Sequence, residues 1–148
     1  MSRRVIILAV TVALTVLTTT TGCGLFGVSQ SDPDRAEYDE RFVLPNKPHK
    51  SPSGQYIASV IAGPQQNGVK TRIVVITDSV GKEVFHDDTP YSLRHGVGVT
   101  WLSSKDQLWI LSSDIGTSYV QSDGSTWTKT SITPETIKDI PKEIQDLE

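Results

Sequence analysis

Apolar residues between positions 41 and 132 recur at every second place in short runs, and clusters of Gly, Pro, Asn, Asp and Ser separate the runs. That period puts side chains on alternate faces of an extended chain, so each run predicts a strand. In residues 56–62, Ile57 and Ile61 share a face with Ser59, and Tyr56, Ala58 and Val60 share the other. In residues 69–77, Ile73 and Val75 face one way and Val74 and Ile76 the other, the pattern of a central strand covered on both sides. Residues 83–86, 97–102, 107–112, 115–120 and 126–132 read as further strands, with 107–112 the most apolar. Residues 41–44 read as a short first strand ended by Pro45, and residues 87–96, which contain Pro90 and Tyr91, as a loop. Asn67-Gly68 and Asp123-Gly124 supply the left-handed backbone that tight hairpins need. No helical period interrupts the series. The fold class this predicts is mainly β: an antiparallel meander folded as a sandwich or partial barrel.

The pattern changes after residue 132. Thr133 is placed to cap a helix beginning at Pro134, with Ile132 and Ile137 at the positions of a hydrophobic staple. Ile137, Ile140, Ile144 and Leu147 then recur at helical spacing. Pro141 interrupts the stripe, so two short helical turns are expected, laid over one face or end of the sheet.

The first residues have a different grammar. Arg3 and Arg4 precede the uncharged, mostly apolar run 5–17, and Thr18 to Thr21 lead to Gly22 and Cys23. As a helix, 13 residues span roughly 20 Å, short of the hydrocarbon core of a bilayer. A basic start, a short apolar stretch and small residues before a cut are the parts of a secretory signal. The segment resembles a bacterial lipoprotein signal peptide, whose lipobox ends in a small residue and a cysteine. Here it reads Thr20-Thr21-Gly22-Cys23, with Thr20 where an aliphatic residue is usual. The resemblance implies a signal peptide over residues 1–22 and lipidation of Cys23. It also implies a membrane partner through that lipid, in the bacterial envelope and facing outside the cytoplasm. Residues 23–40, polar and without a periodic face, then read as a lipid-anchored tether, and residues 41–148 as a single β-rich domain.

Cleavage before Cys23 leaves 126 of the 148 residues, enough to bury a core without disulfides, and Cys23 is the sole cysteine. Lys and Arg number 14 and Asp and Glu 17; loss of Arg3 and Arg4 with the leader takes the formal charge from −3 to about −5. An acidic chain with no basic cluster excludes nucleic acid as a partner.

Candidate chemistry is sparse. Gly96-Val97-Gly98 lacks the third glycine and the following helix of a dinucleotide fingerprint, and no Gly-x-Ser-x-Gly elbow is present. His86, Asp87, Asp88 and His95 carry metal-ligating atoms at a spacing that matches no standard site, so neither a metal nor a cofactor is expected. Tyr91, Trp101, Trp109, Tyr119 and Trp127 are the candidate binding surface, an aromatic grip for a protein, peptide or sugar. Core packing explains them as well, because Trp109 and Tyr119 fall on strands that should pair.

Residues 51–58, Ser-Pro-Ser-Gly-Gln-Tyr-Ile-Ala, resemble the turn-and-strand signature of β-propeller blades, and residues 101–109 resemble a second copy about 50 residues on. Two copies do not close a ring of four to eight blades, so the resemblance implies at most a blade-like pair of sheets. The expected function is a non-enzymatic envelope lipoprotein whose domain binds an envelope protein or peptide. The alternative is an envelope hydrolase or carbohydrate-active enzyme with a site built from loops.

Overall fold

A computed structural model describes residues 40–147. Cys23, the leader and the expected tether up to residue 39 lie outside the described residues. Within them the chain forms β1 (His49–Lys50), β2 (Tyr56–Ala62), β3 (Thr71–Asp78), β4 (Glu83–His86), β5 (Tyr91–Ser92), β6 (Val97–Trp101), β7 (Gln107–Ser112), β8 (Ser118–Ser122) and β9 (Trp127–Ser131). A 3-10 turn at Ile137–Asp139 and a one-turn helix, α1 (Lys142–Gln145), follow.

The strands make two antiparallel sheets. The first has the order β1-β2-β3-β4, with β5 also on β3; the second has the order β6-β7-β8-β9. Their inner faces meet in one core. Ala58, Val60, Val74 and Ile76 from the first sheet pack against Val99, Trp101, Leu108, Ile110 and Val120 from the second. Burying an aliphatic side chain of this size contributes about 1.5–3 kcal/mol, so this shared face holds the sheets together. The fold is mainly β and built of meanders, as the alternation predicts, and the sheets are not closed into a barrel.

The two propeller-like stretches occupy corresponding places, each closing the first hairpin of its sheet. The Ser51 N–H donates to the Tyr56 carbonyl at 2.9 Å, and the Leu102 N–H to the Gln107 carbonyl at 2.9 Å. The two turns also meet: the Ser53 N–H and hydroxyl both donate to the Asp106 carboxylate, at 3.0 and 2.5 Å. Those bonds hold the Asp106 carboxyl below its usual range despite partial desolvation. At the tip of β2 and β3, Asn67 and Gly68 have φ of 49° and 77°, closing the two-residue turn expected there.

Four local expectations change. Residues 41–44 do not form a strand. Leu44 and Lys47 exchange backbone hydrogen bonds around Pro45-Asn46, and Val43 makes a single bond to the Val99 carbonyl on the edge of β6. Pro45 has no N–H with which to extend that ladder. The loop at residues 87–96 contains β5. The four-residue β4 leaves the start of β3 uncovered, and β5 fills the vacancy, Tyr91 opposite Arg72 and Ser92 opposite Thr71. Ile115 belongs to the β7–β8 turn and is 52% exposed. Thr133 does not cap a helix: its N–H bonds to Thr136 Oγ1, and Ile137 is 59% exposed, so the staple is not made.

The two short turns either side of Pro141 are present, and they cover the outer face of the second sheet. Ile140, Ile144 and Leu147 are buried with Phe42, Leu102 and Trp109 in a second apolar cluster. Glu143 fastens the segment by accepting from the Ser103 N–H at 2.6 Å and the Ser103 hydroxyl at 2.5 Å.

Candidate functional site

Three of the five aromatics lie between the two sheets and two on the outer face of the second. Tyr91 and Trp101 belong to the core between the sheets, with Trp127 packed on it. Trp127 stands edge-on to Tyr56 at 4.8 Å and to Trp101 at 6.3 Å. Trp109 and Tyr119 lie on the outer face, directly opposite in register, with ring centroids 5.2 Å apart and planes tilted by 40°. Tyr91 is fully buried, and Trp101 and Trp109 nearly so. The set therefore does not assemble into one exposed surface; only Tyr119 and Trp127 are part-exposed.

The densest polar cluster is one the sequence does not advertise. Lys129 points inward from β9, and its ammonium reaches both Asp87 oxygens at 3.0 Å, Thr89 Oγ1 at 2.8 Å and the Tyr91 hydroxyl at 2.7 Å. The Tyr91 hydroxyl donates to Asp87 at 2.7 Å, and the Thr89 N–H donates to the other carboxylate oxygen at 2.9 Å. All three ammonium protons have acceptors. The nitrogen is 5.1 Å from the Tyr91 ring centre and 2.7 Å from its oxygen, so the contact is a hydrogen bond at the hydroxyl end of the ring. Burial pushes the Asp87 carboxyl up, but the bonds from Tyr91, Thr89 and Lys129 outweigh it and hold it below its ordinary value. Burial, then the neighbouring carboxylate, raises the Tyr91 hydroxyl. Within this acid–base set Asp87 is 3% exposed and Tyr91 is sealed, while the Lys129 side chain is 21% exposed. The chemistry of the set is that of a clasp between the sheets.

The outer face of the second sheet carries a second polar arrangement, and this one is open. A groove of about 280 Å³ at the start of β7 is lined by Lys105, Gln107, Trp109, Tyr119, Gln121 and Asp139, among others. Gln107 forms its floor and is 5% exposed. Its amide oxygen accepts from the Trp109 indole N–H at 3.0 Å, and its amide nitrogen donates to the Gln121 oxygen at 2.8 Å. This chain of bonds fixes both amides and leaves the Gln121 nitrogen, on an exposed residue, free to donate outward. At the other end of β7, a hollow of about 470 Å³ is bounded by Phe42, Leu44, Val97, Leu111 and Leu147, with hydroxyls from Ser112, Ser113 and Thr117.

Among the described residues, no three His, Cys, Asp or Glu side chains come together as a metal site. His86 pairs with Glu83 at 3.3 Å, while Asp87 is committed to the clasp. No helix among the described residues is long and apolar enough to cross a membrane. Of the residues singled out in the sequence, Trp109 and Tyr119 line the groove. Gln107, Gln121, Lys105 and Asp139 carry no motif, and only the pairing register of β7 with β8 brings them together. No protein-family model, curated protein or solved structure matches the chain.

Proposed function

We propose that this chain is a membrane-anchored envelope lipoprotein. Its β domain is a non-enzymatic binding module, and its contact surface is the groove at the start of β7, beside the part of the second sheet that the C-terminal turns cover. The observation that carries the binding role is the fixed Trp109–Gln107–Gln121 relay beneath an accessible groove. The clasp at Asp87 commits its charged pair to joining the sheets, while the groove offers pre-oriented amides beside an aromatic ring, which suits recognition. The lipobox-like Thr20-Thr21-Gly22-Cys23 supports the anchor.

Labelling cells with radioactive palmitate and sedimenting isolated envelope tests both parts. Label should enter the wild-type chain and be lost in Cys23→Ser. A chain begun at residue 24, which carries neither leader nor lipid, should still sediment with envelope, and Gln121→Ala combined with Lys105→Ala should release it. An unlabelled wild-type product with its leader intact overturns the anchor. Sedimentation unaffected by the groove substitutions overturns the contact surface.

A further inference from the structure

We propose that the groove over Gln107, Trp109, Tyr119 and Gln121 takes a neutral carbohydrate chain. This deepens the contact surface proposed above and rests on it. The groove lies over β7 and β8, the two interior strands of the second sheet. Their backbone groups are committed to the neighbouring strands on both sides, so an extended peptide finds no free ladder to join there. What the surface offers is side-chain chemistry alone.

That chemistry is mixed and directional. Gln121 presents an amide donor whose direction is set by its bond to Gln107, and Lys105 adds a second donor. Asp139 and Thr130 add acceptors to the lining, and Tyr119 supplies a part-exposed ring. Among the described residues, neither Lys105 nor Asp139 is ion-paired, and the two give the lining no net charge. A charged ligand would be repelled by one of them. A polyol meets all of these groups, since each hydroxyl both donates and accepts and the apolar face of a sugar ring lies on an aromatic. Gln107, held from both sides, cannot turn to suit another ligand, which favours a rigid ring over a flexible chain.

The test is calorimetric titration of the full chain, held in a detergent without sugar groups, with cellotetraose and chitotetraose. A capped neutral tetrapeptide and polygalacturonate serve as comparison probes. Side-chain amide signals of Gln107 and Gln121 are followed by NMR. A neutral oligosaccharide should bind and shift both amide pairs, and Gln121→Ala should weaken it about tenfold, the loss of one hydrogen bond. Lys105→Ala, on an exposed turn, should weaken it with an unchanged melting curve. If the tetrapeptide binds and shifts the same amides while neither sugar does, the groove stands as a contact surface and the carbohydrate assignment falls. Stronger binding of polygalacturonate overturns the neutrality argument. If no probe moves either amide and the groove variants still sediment with envelope, the contact surface itself is wrong.

Discussion

Lys129 on β9 holds Asp87, in the segment that follows β4, by both carboxylate oxygens at 3.0 Å. The pair ties the last strand of the second sheet to the far margin of the first, at a point where no backbone ladder joins them. Removing one partner leaves the other charge buried. Lys129→Met should therefore cost about 3 kcal/mol in urea unfolding. The double variant Lys129→Met with Asp87→Asn should lose less than the sum of the two single losses, because the stranded charge is gone.

The same clasp sets an acid limit. The Asp87 carboxyl lies below its ordinary value of 3.8 in the folded chain. A carboxyl with a depressed folded pKa contributes stability that is fully present above its unfolded pKa and is lost as pH falls through the folded value. Melting temperature should thus decline below about pH 4. Asp87→Asn should start lower at neutral pH and flatten that part of the acid limb; an unchanged slope would show that Asp87 does not titrate with unfolding.

Gly98 is small because Phe42 occupies the space above it. A Cβ at Gly98 would stand 2.5 Å from Phe42 Cε1. Gly98→Ala should destabilise by about 1–3 kcal/mol through overpacking. Adding Phe42→Leu should return part of that loss. Strictly additive effects in a double-mutant cycle would deny the contact.

The segment over the outer face of the second sheet is a structural cover. Its Ile144 side chain is fully buried against the sheet. Ile144→Ala should cost about 2–5 kcal/mol. Removing residues 134–148 should lower the melting temperature and expose Leu111, Trp109 and Tyr119 to a dye that fluoresces on apolar surface. An unchanged melting curve would show the segment to be undocked.

Tryptophan emission reports the division of the aromatics. Trp109 is 2% and Trp101 9% exposed, while Trp127 is half-buried. Iodide should quench only a minor part of the emission, and Trp127→Phe should abolish most of that part. Strong quenching that survives Trp127→Phe would place another indole at the surface.

The alternation of apolar residues makes the sheet architecture legible, because one buried face per strand forces a period of two. Residues 56–62, 83–86 and 107–112 coincide with β2, β4 and β7. The edges were less readable. The strand expected at residues 41–44 failed because one backbone bond does not make a ladder. β5 carries no sequence signal because two residues show no period; it exists through the gap that β4 leaves on β3. The stripe after Pro141 was plain, whereas the staple at Ile137 depended on a helix that Thr133 did not start. The groove was half visible, in Trp109 and Tyr119. Gln107, Gln121, Lys105 and Asp139 are ordinary polar residues until register and the C-terminal turn bring them to one place. Lys129 is likewise one lysine among polar neighbours until the two sheets stack.

In both sheets the strands follow one another in order, with β5 the single return to β3. Loop-closure entropy is therefore met in small steps, one hairpin at a time, each forming within about 1–10 μs. The slow event is the meeting of two half-built sheets, which should place the rate-limiting barrier at the seam where Val99, Leu108 and Val120 find Ala58 and Val74.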